Sequence, residues 1–314
     1  MNEDSKSIIA WCAVGLGNKI CTLLGAVYWA QKLNYDINIL WLLDNHCQCP
    51  YTDIYESYSD KLILEIDYAK SIVACNNSFP CTQTLSTFLN TPVTREAKNH
   101  YMKLYLRTLK DKIPSTEVKL NFNKIANYKL FLYQNSILDP EIEILEATNI
   151  LSQLLINKNI YDKAFSFIKK NKIDYNVRGI AIRKTDVPLK TYENFYYKII
   201  SENPDTVFFV TSDDCSIKDL FSHFKNVLIY RSTSHALWDG KNIYREKDFV
   251  IDSFIEMLIL AHTNLYRINS DIKSTFYFCA ILYNLIYTGF DSNKIKNADS
   301  YKKQLLINYL NERG

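Results

Sequence analysis

The 314-residue sequence is poor in glycine and proline, with seven residues of each. It also lacks the features typical of nucleic-acid-binding, secreted and membrane-spanning proteins. Its formal net charge of +3 is close to neutral, which argues against general nucleic-acid binding. The N-terminus has no basic segment followed by an apolar core, so it does not resemble a secretory signal. We therefore expect a globular protein of the cytoplasm.

Long hydrophobic runs are also missing. The longest apolar stretch extends from Phe276 to Phe290, contains Asn284, and falls short of the ~20 residues that a membrane-spanning helix needs. This stretch predicts a buried helix and no transmembrane segment, while contact with a membrane surface is left open.

The eight cysteines form no extracellular-type framework, and we expect free thiols. The segment His46-Cys47-Gln48-Cys49 is the only cluster of metal-binding residue types, and no second pair follows at zinc-finger spacing. The sequence therefore predicts no metal site.

Two of the few glycines lie close together near the N-terminus. Gly15, Gly17 and Asn18 follow an apolar run and precede a helical pattern, which predicts a strand, a tight turn and a helix. Glycine there allows a positive φ and leaves backbone N–H groups open to a ligand. Ile20 stands where a dinucleotide fingerprint needs a third glycine, and a Walker loop is absent, so a dinucleotide oxidoreductase is the weaker interpretation.

Hydrophobic periodicity predicts an alternation of strands and helices, which is typical of an α/β protein with a doubly wound parallel sheet in its second half. We place a boundary near Asn157, which gives two α/β domains, 1–156 and 157–314, that face each other across a cleft. Strands are predicted at 8–14, 37–41, 61–66, 129–133, 178–183, 206–211, 226–230 and 264–269, and helices from 18 and at 95–110, 161–170, 192–202, 216–224, 249–262 and 274–287.

Polar residues follow the strands of the second half, where open parallel sheets bind ligands. Arg183 and Lys184 come after one strand and could hold a diphosphate; the alternative is a strand-end cation paired with Asp186. Asp213 and Asp214 come after the next strand. Adjacent acids lack the spacing of an Asp-x-Asp metal motif, so we favour orienting or turn-forming roles for them.

Two further pairs are candidates. Ser274 and Thr275 begin a helix, where hydroxyl and N–H groups could bind phosphate, although capping is the simpler interpretation. Asp252 and Glu256 lie four apart on one helical face, where a carboxylate could accept from the N–H groups of guanine; solvent exposure or capping is the alternative.

Three motifs resemble the fucosyltransferase superfamily that includes the α1,2-, α1,6- and protein O-fucosyltransferases. Residues 15–19 (GLGNK) resemble its Gly-Leu-Gly-Asn-Arg/Gln turn, residues 181–186 (AIRKTD) its His-x-Arg-Arg-Thr-Asp signature, and residues 208–214 (FFVTSDD) its strand-Thr-Asp-Asp segment. The resemblance implies a GT-B fold of two Rossmann-like domains. It also implies a GDP-sugar donor held mainly by the C-terminal domain, an acceptor on the N-terminal side, and inverting, metal-independent transfer of fucose without a further cofactor.

The resemblance assigns Arg183 to the donor diphosphate as the residue most needed for transfer. Glu256 takes the place of the family's guanine-reading carboxylate, with Asp252 nearby. The full set of donor-binding candidates is Lys184, Asp186, Asp213, Asp214, Asp252, Glu256, Ser274, Thr275, Gly15, Gly17 and Asn18.

Two departures from the signature keep other functions open. Ala181 replaces the family's histidine, and Lys184 replaces its second arginine, which loses bidentate geometry. The alternatives are a transferase for another GDP-sugar and a non-catalytic module that binds a nucleotide or glycan. The sequence does not define the saccharide acceptor. Trp238, with His235 and Tyr244, could stack on a sugar ring or pack on its own domain.

Overall fold

The computed structural model describes residues 7–57, 63–67, 130–133, 137–182, 190–232, 234, 236–238, 243–265 and 274–311. These residues form an α/β structure, as predicted. From the N-terminus onward the elements are β1 (Ser7–Cys12), α1 (Leu16–Leu33), β2 (Asp36–Leu43), α2 (Tyr51–Ile54), β3 (Tyr55–Ser57), β4 (Ile63–Asp67), β5 (Leu130–Tyr133), α3 (Ile144–Ser152), β6 (Leu155–Ile156), α4 (Lys158–Lys170), β7 (Arg178–Ile182), α5 (Lys190–Glu202), β8 (Phe208–Ser212), α6 (Cys215–Phe221), β9 (Val227–Leu228), β10 (Leu237–Trp238), β11 (Ile243–Tyr244), α7 (Lys247–Ala261), β12 (Asn264–Leu265), α8 (Thr275–Thr288) and α9 (Ser292–Asn311).

The first large sheet is parallel and has the order β4-β2-β1-β5. The polypeptide proceeds from β1 to β2 and β4 on one side and then adds β5 on the other side of β1. The direction of winding therefore reverses at β1. Ligands of open parallel sheets bind beyond the carboxyl end of the strand at such a reversal, and the glycine turn follows β1 directly.

The second large sheet, also parallel, has the order β12-β7-β8-β9. Here the polypeptide winds from β7 through β8 to β9, and β12 then pairs with the opposite side of β7. The reversal point is β7, the strand that Arg183 follows. In each sheet, one of the motifs selected from the sequence thus comes directly after the reversal strand.

The C-terminal helices pack against the first half of the molecule. The Lys302 ammonium in α9 donates to the carbonyl of Pro140 at 2.8 Å, and the buried hydroxyl groups of Tyr55 and Tyr283 lie 3.1 Å apart. One hydrophobic cluster accordingly contains residues of both halves. The boundary at 156–157 stays a prediction. None of the helices among the described residues is both long and apolar enough to cross a membrane.

The observed elements agree with most of the predicted ones and differ in identifiable places. The third strand of the second half is shorter than predicted and covers Val227–Leu228. Helix α6 begins at Cys215, one residue before the predicted start, and Asp214 is its N-cap. Helices α2, α3 and α9 were not predicted. The predicted helix at 95–110 lies outside the described residues.

Candidate functional site

An open cleft lies at the carboxyl ends of β1, β7 and β8 and at the N-terminus of α8. It contains about 830 Å³ of space free of protein atoms, which includes open solvent. Both halves of the molecule form its walls. The lining residues are Gly15, Leu16, Gly17, Asn18, His46, Ala181, Ile182, Thr211, Ser212, Asp213, Arg245, Phe249, Val250, Ser253, Glu256, Ser274, Thr275 and Phe276.

The glycine turn reaches the cleft, but the prediction of a positive φ at glycine is wrong. Gly15 is the N-cap of α1 with a φ of −69°, and the left-handed conformation belongs to Val14, with a φ of 70°. A β-branched residue is strained in that region, so the surrounding structure must hold it there.

Asp44 holds the strained turn, and it was not among the residues selected from the sequence. The Val14 N–H donates to Asp44 Oδ2 at 2.7 Å, and the His46 N–H donates to Asp44 Oδ1 at 3.0 Å. Asp44 is buried and comes directly after β2. One carboxylate therefore fixes the two loops that the first half contributes to the cleft. In the second half we selected polar residues that directly follow strands. The same criterion, applied to the first half, would have selected Asp44.

Gly17 is required for close approach of two helices. A Cβ atom at this position would lie 2.6 Å from the backbone nitrogen of Phe276 and 2.6 Å from the carbonyl carbon of Thr275. The thiol of Cys279 also donates to the Gly17 carbonyl at 3.7 Å. The small size of glycine thus lets the N-terminus of α8 lie directly against the start of α1 at the cleft. Asn18 lines the cleft beside it.

The described residues stop within the signature segment 181–186, after Ile182. Arg183, Lys184 and Asp186 lie outside the described residues. The strand that precedes them is described to its end: Ala181 and Ile182 both line the cleft, and Ile182 pairs with Ser212 of β8.

The pair of adjacent acids divides between two roles. Asp213 lines the cleft, whereas Asp214 caps α6, since its carboxylate accepts from the Ser216 N–H at 2.7 Å and from the Ser216 hydroxyl at 2.6 Å. The structure thus assigns a helix-capping role to Asp214.

Glu256 forms the charged floor of the cleft. Its side chain is buried, its Oε1 pairs with the Lys218 ammonium, and its Oε2 accepts from the Thr211 hydroxyl. Burial raises the pKa of Glu256 to about 7 against the opposing effects of Lys218 and Thr211. Each carboxylate oxygen has two lone pairs, so Glu256 keeps acceptor capacity for a ligand.

Asp252 lies one turn before Glu256 on α7 but faces a different group of residues. Its Oδ2 accepts from the Ser232 hydroxyl at 2.7 Å, and the Asp252 charge contributes, after burial, to raising the pKa of Tyr230 to about 12. It is absent from the lining of the cleft among the described residues. The structure thus brings Glu256, and not Asp252, to the other candidate residues.

The start of α8 contributes a cap and a hydroxyl. Ser274 is buried and accepts from the Tyr277 N–H at 3.2 Å, which is the capping interaction. Ser274 and Thr275 both line the cleft. The helix N-terminus therefore faces the same space as the ends of β1 and β7.

Arg245 is a cleft residue that the sequence patterns did not indicate. Its guanidinium lies 3.8 Å from the Asp213 carboxylate, measured between Nη2 and Oδ2. Its backbone is tied to the first half, because its N–H donates to the Asn45 carbonyl at 2.8 Å and its carbonyl accepts from the Gln48 N–H at 3.0 Å. A lone arginine in a polar segment has no local pattern that would have identified it.

In the segment His46–Cys49 the two cysteines are buried in the core, whereas His46 lines the cleft and Gln48 is exposed. Burial raises the pKa of the Cys47 and Cys49 thiols, which disfavours the thiolate that a metal requires. Within the described ranges there is no group of three or more residues of metal-binding type. Of the aromatic residues considered for an acceptor, Tyr244 is partly buried in β11, and His235 lies outside the described residues.

The raised pKa of Glu256 predicts a pH dependence of stability. The pKa of Glu256 is about 7 in the folded protein, whereas its ordinary pKa, which applies to the unfolded polypeptide, is 4.5, so the folded state binds the proton more tightly. The resulting stabilisation is complete below about pH 4.5 and is lost as the pH rises through 7. We expect a Lys218→Met/Glu256→Gln double variant, which leaves no lone buried charge, to lack this slope. The free energy of unfolding, measured with denaturant at pH 5 to 8, gives this slope. Equal slopes in the wild-type protein and the double variant would refute the role of Glu256 in the pH dependence.

Comparison with solved structures bears on the fold. The NodZ α1,6-fucosyltransferase soaked with GDP-fucose superposes with a TM-score of 0.59 at 14% identity, over 89% of this protein and 92% of NodZ. NodZ co-crystallised with GDP gives 0.60 at 12% identity, over 91% and 95% of the two proteins. NodZ from Bradyrhizobium gives 0.59 at 12% identity, over 88% and 92%. The protein shares the fold of NodZ.

The match with NodZ confirms the predicted GT-B type of fold. Because it extends over about nine-tenths of both proteins, it includes both halves of the molecule and not one sheet alone. No family model matches the sequence, and no curated protein matches it in sequence.

Proposed function

We propose that the protein is an inverting, metal-independent fucosyltransferase that transfers fucose from GDP-fucose to a glycan acceptor. The observation that carries this proposal is the convergence of the two reversal strands on one cleft, in a protein with the fold of a NodZ enzyme that was soaked with GDP-fucose. The cytoplasmic location and the division into domains 1–156 and 157–314, for acceptor and donor, belong to the same proposal.

The reaction forms a bond between an acceptor hydroxyl oxygen and C1 of fucose as the bond from C1 to the β-phosphate oxygen breaks. GDP leaves with the electron pair, and the hydroxyl proton is released. A direct displacement of this kind inverts the configuration at C1. Arg183 and Lys184 supply positive charge to the leaving diphosphate, Glu256 contacts guanine, and the start of α8 binds phosphate oxygens through Thr275. No cofactor besides the donor is involved.

A transferase for another GDP-sugar is the second candidate, and a specific residue favours it. Ala181, which stands in place of the family's histidine, lines the cleft and so leaves a donor contact unmade. Release of GDP from GDP-fucose compared with GDP-mannose separates the two candidates. A non-catalytic binding module would bind both and turn over neither.

Thermal unfolding with different nucleotides tests the donor class. At 100 times its dissociation constant, a ligand that binds only the folded state adds about 2.7 kcal/mol of stability. We expect GDP to raise the melting temperature more than UDP or NAD at equal concentration. A larger shift with UDP or NAD would contradict the proposal.

A further inference from the structure

Arg245 occupies a position from which it can reach a ligand held between the two halves. Its side chain is only 17% exposed and lines the cleft. Its Nη1 lies 3.7 Å from the position that a Cβ atom on Gly15 would take, so the guanidinium stands directly beside the glycine turn. The two backbone hydrogen bonds to the loop of residues 45–48 fix the segment that carries it.

The charge of the Arg245 guanidinium can attract an anionic ligand into the cleft. Among the described residues that line the cleft, Arg245 is the only lysine or arginine. A guanidinium carries five N–H donors in a planar fork, so its pairing with Asp213 at 3.8 Å is compatible with simultaneous binding of a second anion. Asp213 directly follows Ser212, the partner of the last residue of β7. Arg245 thus stands at the edge of the sheet where the signature segment begins.

The signature itself lacks one guanidinium. Lys184 stands where the resemblance places a second arginine, and an ammonium is a point charge that cannot make the paired, planar hydrogen bonds of an arginine to phosphate. We propose that Arg245 supplies the second guanidinium and binds the diphosphate of the nucleotide donor. This inference rests on the proposed function.

Equilibrium binding of GDP and of guanosine to Arg245 variants tests the inference, because guanosine lacks the diphosphate. We expect Arg245→Met to bind GDP at least about tenfold more weakly than the wild-type protein, and Arg245→Lys to show a smaller loss. Guanosine affinity should stay unchanged in both variants. The matched control is Lys247→Met, two residues further on, where the lysine is half exposed and pairs with Asp53 at 2.7 Å.

The outcomes separate this inference from the proposed function. Wild-type protein that binds neither GDP nor guanosine refutes the proposed function and, with it, the role of Arg245. Wild-type binding of GDP with unchanged affinity in a folded Arg245→Met protein refutes the role of Arg245 alone. An equal loss of GDP and guanosine affinity shows that Arg245 holds the cleft together without contacting phosphate, and it also refutes the inference. Thermal unfolding of each variant establishes that it is folded.

Discussion

Substitution of alanine for Arg183 is expected to lower the rate of fucosyl transfer by about two to three orders of magnitude, the usual effect of removing one preorganised donor from developing negative charge. The residue directly follows β7, the strand at which the second sheet reverses its winding, and Ile182 at the end of that strand lines the cleft. In the proposed function, a cation at this position neutralises the diphosphate as the bond to fucose breaks. The measurement is kcat with GDP-fucose and a saccharide acceptor.

Arg178 provides the matched control for this substitution. It begins the same strand, about 13 Å from Ile182 at 3.3 Å per residue, at the end of the strand that lies away from the cleft. We expect Arg178→Ala to keep its transfer activity as long as it is folded. Full activity in a folded Arg183→Ala protein would remove Arg183 from the mechanism.

The second large effect is expected from Gly17→Ala. In an ordinary helix this change would stabilise the protein by up to about 1 kcal/mol, because alanine is the better helix former. Here the added methyl would lie 2.6 Å from backbone atoms of Thr275 and Phe276, which cannot move aside as a flexible side chain would. Overpacking of this kind costs about 1–3 kcal/mol or more, so the sign is reversed. Thermal and denaturant unfolding measure the loss.

Gly15→Ala is the control for the Gly17 prediction. A Cβ atom at Gly15 would meet Asn18 Oδ1 at 3.5 Å and Arg245 Nη1 at 3.7 Å, which are ordinary contacts, and the φ of −69° suits alanine. This variant should unfold close to the wild-type temperature. If Gly17→Ala were equally stable, the close packing of α8 on α1 would not be what holds this side of the cleft.

The predicted elements succeeded where a short apolar run or a clear helical period was bounded by polar residues. The missed helices α3 and α9 carried the same signal: Ala298, Tyr301 and Leu305 in α9 are buried at helical spacing. The order of strands in the two sheets was beyond the sequence, because it depends on pairings such as β1 with β5 and β7 with β12 between distant segments.

The candidate site was predictable to the extent that its residues follow strands or begin helices. Gly17, Asp213, Glu256 and Thr275 do meet at one cleft. A simple helical pattern places Asp252 on the same face as Glu256. In the structure the Asp252 carboxylate accepts from the Ser232 hydroxyl instead, because residues one turn apart on a helix have different neighbours. Arg245 was unpredictable because its position depends on backbone pairing with the loop of residues 45–48, which forms only on folding.

The release of GDP from GDP-fucose by the purified wild-type protein, followed with and without saccharide acceptors, tests the central claim most directly. We expect turnover of GDP-fucose that exceeds that of GDP-mannose and of UDP-sugars, is accelerated by the acceptor and yields a product of inverted configuration. A folded protein that binds GDP-fucose but releases no GDP under either condition would contradict this claim.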